Sequence, residues 1–406
     1  MLIASVKTHF ELKSPSFVIK IALCLCAVWL QSRPLCAAES DSIPSLLFDL
    51  NVQIESTEGI NNMYNFDFAR ADGQFNWLKG KYSWHPLPYF MLGLSQWWRM
   101  VPNIESTQYD EAFFAYMDSS IVASENIFEK GNTVEGGFFL AATYAFIGRL
   151  HSERSNWTKA AAAGKNALKY LDYCREKEEF GAEILFGDAL YNYYSVWIPE
   201  NYPLLKPIMV FFKNGDKNLG LKQLQEVANN AFFTRTEAQY FLMRILANEE
   251  NNPMAALRTA RYLAETFPNN PVFNRSYTQV LYRLGKNRQA EIQSLDMLKK
   301  VEEGKTGYEE NSGRYASYFL GEIYRKQSKK DLAKKYYQKA VDYGMEVEAE
   351  KKGYHLYSLL NLGRIAYQDG DPDLARDYFK RIKKLSKGKH RANKLAGQFM
   401  KEMKRG

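Results

Sequence analysis

The chain has 406 residues, 46% hydrophobic and 15% aromatic, enough apolar material for two or three globular domains or one long helical array. Its four cysteines are Cys24, Cys26, Cys36 and Cys174, and the first three fall in a segment that reads as a removable signal, which excludes an intramolecular disulfide framework or a cysteine metal site in the remainder. The formal charge of +8 belongs to the ends: residues 380–405 hold 11 Lys/Arg against Glu402, the first 38 hold four against Glu11, and the body between is mildly acidic, with 39 Lys/Arg and 44 Asp/Glu.

Residues 1–38 have the order of a secretory signal peptide. Lys7, Lys13 and Lys20 form a basic start, residues 17–30 an apolar core too short to span a bilayer, and Cys36 and Ala38 the small residues before cleavage ahead of Glu39. Leu23, Leu25 and Leu35 precede the three cysteines, which argues against lipidation. The expected location is outside the cytoplasm of a bacterium, periplasmic or associated with the outer membrane; a retained N-terminal anchor is the alternative.

Residues 39–74 read as transitional helices and 75–230 as degenerate helical repeats under a Trp-rich cap. Trp77, Trp84, Trp97 and Trp98 crowd the start of that region, where Pro86 and Pro88 end one helix and suit the first turn of the next. Two readings of the cluster stand: the core of an N-terminal cap, or a sugar or peptide platform. The Leu92-Gly93 helix pairs with residues 109–128, predicted to face inward through Ala112, Tyr116 and Ser119. Phe139, Ala142 and Phe146 then face Ala160, Gly164 and Leu168. A helix over 182–197 is expected to break at Pro199. Two more helices meet at Asn214-Gly215, where a positive φ is expected, and the second carries the stripe Leu219, Leu221, Leu224 and Val227.

Residues 231–386 repeat clearly. Tyr240, Met243 and Ala247 oppose Ala256, Ala260 and Leu263; Asn252-Pro253 and Asn270-Pro271 are helix starts; Tyr277, Leu281 and Leu284-Gly285 precede Ala290 and Met297. In residues 313–343, Leu320, Gly321 and Tyr324 face Ala333, Tyr337 and Ala340, and Ser328 with Asp331 is spaced as a capping box. Leu362-Gly363 and Tyr367 face Ala375 and Phe379, with Asp371-Pro372 as the cap. The two Leu-Gly pairs lie 42 residues apart, so this connection is long. Residues 387–406 form a basic C-terminal capping helix.

The Leu320-Gly321 to Ala340 pattern resembles the tetratricopeptide repeat (TPR), a helix pair of about 34 residues that buries its apolar face only against neighbours. The resemblance implies an all-α fold: a TPR-like solenoid of antiparallel helix pairs, wound as a right-handed superhelix. A second likeness spans residues 186–300. Leu204-Leu205-Lys206 after a proline, Phe211-Phe212, Gly215-Asp216-Lys217, Gly220-Leu221 and Leu224 resemble the segment that identifies the tetratricopeptide repeat protein 39 and inclusion-body-clearance outer membrane family. The secretion signal and small size depart from its eukaryotic members and suggest a bacterial relative.

No HExxH, GxSxG, phosphate-cradling glycine loop or dinucleotide fingerprint occurs, and His85, His151, His355 and His390 lack metal-ligand spacing. No catalytic role, cofactor or metal is expected. Glu135, Glu183 and Asp188, on helices near aromatics, leave open a glycan-cleaving or glycan-binding alternative that would use the Trp-rich region. The first helices of a TPR array line its concave face, which here places Tyr315, Tyr318, Phe319, Glu322, Arg325, Tyr357, Asn361, Arg364 and Tyr367 against a protein or peptide partner. The Lys and Asn set of a carboxylate clamp is not reproduced. Nucleic acid is not expected outside the cytoplasm; the basic tail suits weak contact with anionic lipid or lipopolysaccharide, or simply solvent.

Overall fold

The computed structural model describes residues 44–131, 133–175, 181–203, 215–388 and 390–404. The expected signal peptide and residues 204–214 of the second resemblance lie outside them. Among the described residues there is no strand, and the helices are α1 (Leu50–Tyr64), α2 (Phe68–Lys81), α3 (Pro86–Met100), α4 (Asp110–Glu129), α5 (Thr133–Glu153), α6 (Trp157–Arg175), α7 (Gly181–Asn201), α8 (Lys217–Asn230) and α9 (Arg235–Arg244). After a π-helical turn at Ile245–Glu249 come α10 (Pro253–Thr266), α11 (Pro271–Arg283), α12 (Asn287–Glu302), α13 (Glu310–Lys326), α14 (Lys330–Glu346), α15 (Gly353–Gln368), α16 (Pro372–Leu385) and α17 (Arg391–Glu402). None is long and apolar enough to cross a membrane. The chain divides into two units between Ile245 and Leu246, so α9, the first helix of the clear repeats, falls in the N-terminal unit.

In the N-terminal unit, α1–α2, α3–α4, α5–α6 and α7–α8 pack as pairs. Four sequence expectations need correction. The buried face of α4 is Phe113, Met117 and Ser120, one residue on from Ala112, Tyr116 and Ser119. This face meets Gly93, whose missing side chain leaves room for Met117. Helix α7 runs through Pro199 to Asn201; proline this close to a helix end removes little of the ladder. Gly215 has no positive φ, and Asn214, the other residue of that turn, lies outside the described residues; glycine is needed at 215 because a Cβ there would lie 2.6 Å from the Asn192 carbonyl oxygen. The α8 stripe is Gly220, Leu224, Val227 and Ala228, and Leu219 is exposed.

The C-terminal unit is a row of antiparallel pairs, α11–α12, α13–α14 and α15–α16, in which first helices α11, α13 and α15 touch one another in turn. Close approach is built from glycine under rings. A Cβ on Gly321 would lie 2.6 Å from the Tyr337 ring, and one on Gly363 2.7 Å from the Phe379 ring. Ala333, Ala340 and Ala375 are completely buried opposite. Asn252, Asn270 and Asp371 cap α10, α11 and α16 through their side chains, each followed by proline at the first helical position. Ser328 does not make the expected capping box. It turns out of α13 at φ 60°, and α14 has no side-chain cap. Gly285 (φ 71°) likewise ends the α11 turn rather than packing inside a helix. At the end, α17 docks on α15 and α16 through Ala392 and Ala396.

Candidate interaction face

The first-helix face of the C-terminal unit is organised around one buried carboxylate. Glu322, on α13 and only 7% exposed, accepts four hydrogen bonds. Its Oε1 takes the Tyr337 hydroxyl of α14 at 2.6 Å and the Asn361 Nδ2 of α15 at 2.8 Å. Its Oε2 takes the Tyr282 hydroxyl of α11 at 2.9 Å and Arg325, one turn along α13, at 3.0 Å. Arg325 Nε also donates to the Tyr337 hydroxyl at 3.2 Å. A buried carboxylate left unpaired costs several kcal/mol, so the donors are needed together, and they come from four helices. Burial pushes Glu322 up, but Arg325 and the hydroxyls outweigh it and hold the carboxyl below the usual range. Burial and the same carboxylate push the Tyr337 and Tyr282 hydroxyls well up, so both stay protonated donors.

The nine residues assigned to a partner therefore divide. Phe319, Glu322, Tyr357 and Asn361 are buried and hold the repeats to one another rather than meeting solvent. Arg325 and Tyr367 are exposed, and Tyr315, Tyr318 and Arg364 are half-buried. Tyr318 stacks on Tyr354 at 4.5 Å and Tyr315 meets that ring edge-on at 4.8 Å, an aromatic ledge on the same face. Arg364 lies over Phe399 at 5.4 Å, and a notch of about 110 Å³ opens between it, Tyr367 and Met403. Sequence reasoning missed Tyr282, Lys326 and Tyr354; Lys326 sits 4.1 Å over Tyr282. A signal for Tyr282 existed. Tyr282, Arg325 and Tyr367 each stand eight residues before a buried alanine (Ala290, Ala333, Ala375) and so form one column across three repeats.

The other candidates serve the fold. Glu135 accepts from the Leu46 and Leu47 amides at 3.1 and 2.9 Å and lies 3.1 Å from His85 Nε2. Glu183 accepts from the Phe232, Phe233 and Thr234 amides at 2.6, 3.0 and 3.0 Å, tying α7 to the start of α9. Asp188 pairs with Arg175. All three acids are engaged by other protein groups. His85 and His390 cap α3 and α17, His151 stacks on Phe114, and His355 is buried against Gly344. The Trp cluster splits: Trp97 and Trp98 are core, while Trp77 and Trp84 are exposed.

The family model for the tetratricopeptide repeat matches residues 314–387. Two solved structures match the chain in a structural comparison. The TPR domain of P58(IPK) is 11% identical, covering 87% of this chain and 99% of its own, with a TM-score of 0.24. Yeast Tom70 is 13% identical, covering 86% and 95%, with a TM-score of 0.25. At such values neither likeness supports transfer of a residue or a role. No curated protein matches, and the resemblance of residues 186–300 to the tetratricopeptide repeat protein 39 family finds no support in these comparisons. Over residues 314–387, where Gly321 and Gly363 lie under Tyr337 and Phe379, the chain is similar in sequence and in helix pairing to the tetratricopeptide repeat.

Proposed function

We propose that this chain is an exported, non-catalytic scaffold of the bacterial envelope that holds an extended protein segment on the first-helix, concave face of its C-terminal repeats. The observation that carries this reading is the Glu322 knot. It binds α11, α13, α14 and α15 into one register while its own charge is spent on Arg325, so the accessible groups around it are aromatic and cationic. Tyr315, Tyr318 and Tyr367 offer flat surface, and Arg325, Lys326 and Arg364 offer donors, a combination suited to an acidic segment with aromatic or apolar anchors. The basic side chains of α16 and α17 add weak attraction to anionic lipid or lipopolysaccharide in the same reading.

The test is crosslinking in the cell envelope followed by mass spectrometry, with the wild type and two charge reversals. Arg325→Glu with Arg364→Glu strikes the face and the knot together. Lys326→Glu with Arg364→Glu leaves the Glu322 bonds intact. Capture of one dominant partner by the wild type and its loss in both variants is the expected result. A partner retained at full yield by both variants would remove this face from consideration.

A further inference from the structure

The N-terminal unit contains a feature that a peptide scaffold does not require. The inward face of α5 runs Phe139, Ala142, Phe146, Arg149, a helical stripe in which the fourth member is a cation. Helices α3, α5 and α6 on one side and α7 and α9 on the other leave a cavity of about 310 Å³ along that stripe, at the small end of ligand pockets. Its walls include Phe90, Leu94, Ala142, Phe146, Leu168 and Phe186. The expected large-and-small alternation of α5 and α6 is present, but Ala142, Phe146 and Leu168 are only half-covered because they face this space.

Arg149 lines the cavity with its guanidinium 4.4 Å over Trp97 and 5.4 Å from Phe241. Among the described residues it makes no hydrogen bond or ion pair. The acids nearby bond to other groups. Glu183 is bound by three backbone amides. Glu237 accepts from Trp98 Nε1 at 2.8 Å and from the Tyr64 hydroxyl at 3.3 Å; burial pushes its carboxyl up, against the pull of Arg149. Glu153 and Arg244, also at the cavity, have partners of their own. Burial pushes the Arg149 guanidinium down from its ordinary value, against the pull of Glu237 and Glu153, neither of which bonds to it directly. A desolvated cation over apolar walls is complementary to an anion with an apolar tail, and a guanidinium fork matches a carboxylate.

We propose that the cavity binds a free fatty acid, its carboxylate on Arg149 and its acyl chain along the α5–α6 wall. The site lies wholly in the N-terminal unit and stands whether or not the C-terminal repeats bind a peptide.

Calorimetric titration of the full chain with sodium dodecanoate, dodecanol and dodecylammonium tests it. The wild type should bind dodecanoate one to one, at least tenfold tighter than dodecanol, with dodecylammonium weakest. Shortening the acid should weaken binding about fourfold per methylene removed. Arg149→Met, which keeps the packing on Trp97, should bring dodecanoate down to the affinity of dodecanol. Ala142→Phe should fill the cavity and abolish both. The wild-type comparison needs no variant to fold. Failure of the folded chain to bind dodecanoate, or equal affinity for dodecanoate and dodecanol, overturns the proposal. So does a preference for the acid that survives Arg149→Met.

Discussion

Gly321→Ala adds one methyl group in the middle of α13, where alanine should by local preference be welcome, contributing about 1 kcal/mol to helix stability. The packing reverses the sign. The new Cβ would stand 2.6, 2.7 and 3.0 Å from three carbons of the Tyr337 ring, and that ring is fully buried. It is also pinned at its far end by the 2.6 Å bond to Glu322. Overpacking a core site costs about 1–3 kcal/mol, and pulling a hydroxyl from a buried carboxylate about 1–3 kcal/mol more. Net of the propensity gain, the loss should be roughly 1–5 kcal/mol. Gly73→Ala is the control: Gly73 is exposed within α2 with nothing within 4 Å, so alanine there should stabilise by about 0.5–1 kcal/mol. With two units in the chain, a single unfolding curve is a poor measure. Hydrogen exchange of α13 and α14 peptides, read by mass spectrometry beside a urea titration, reports the affected unit directly. In a Tyr337→Leu background the same alanine should cost almost nothing. A Gly321→Ala protein whose α13 and α14 amides are protected as well as in the wild type would refute the close-packing argument.

Three further outcomes can be checked independently. His355 is fully buried beside Gly344, and burial, reinforced by Arg381, depresses it from 6.5 to about 4. The unfolded imidazole takes its proton first, so its contribution is complete above pH 6.5 and falls away between pH 6.5 and 4, by roughly 3 kcal/mol. Urea midpoints followed through that window should drop with acidification, and His355→Leu should flatten most of the slope; an unchanged slope would contradict the assignment. Burial pushes the Cys174 thiol up to about 12, so iodoacetamide at about pH 8 should leave the Cys174 peptide unmodified in the native protein and alkylate it in urea. Glu183→Ala strips the start of α9 of its acceptor and should cost about 1–3 kcal/mol, visible as faster exchange of the Phe232 to Thr234 amides; wild-type exchange rates there would count against the capping role.

Much of this fold was legible in residue spacing. Leu320-Gly321 before Ala333, and Leu362-Gly363 before Ala375, mark helices that must approach closely, and each glycine does lie beneath a ring of its partner helix. Asn252, Asn270 and Asp371 ahead of proline announce helix starts because cap and proline act through neighbours two or three residues away. The misreadings share a cause. Ala112 in place of Phe113, a positive φ at Gly215 and a capping box at Ser328 are local inferences at places where a distant contact or a turn took over. The interaction face shows the same division. Helical period put Glu322 and Asn361 on the first-helix face, but whether they meet solvent depends on Tyr282, 40 residues earlier, and on Asn361 itself, 39 residues later than Glu322.

Helix content, pairing and the places of close approach are properties of short stretches, set by capping, propensity and the size of residues one turn apart, and so they can be read along the chain. Which charges are neutralised is not such a property. Glu322 found four donors while Arg149 has only rings in direct contact and feels Glu237 and Glu153 through space, because a charge buried in a low-dielectric interior is satisfied by groups that packing brings from far along the chain.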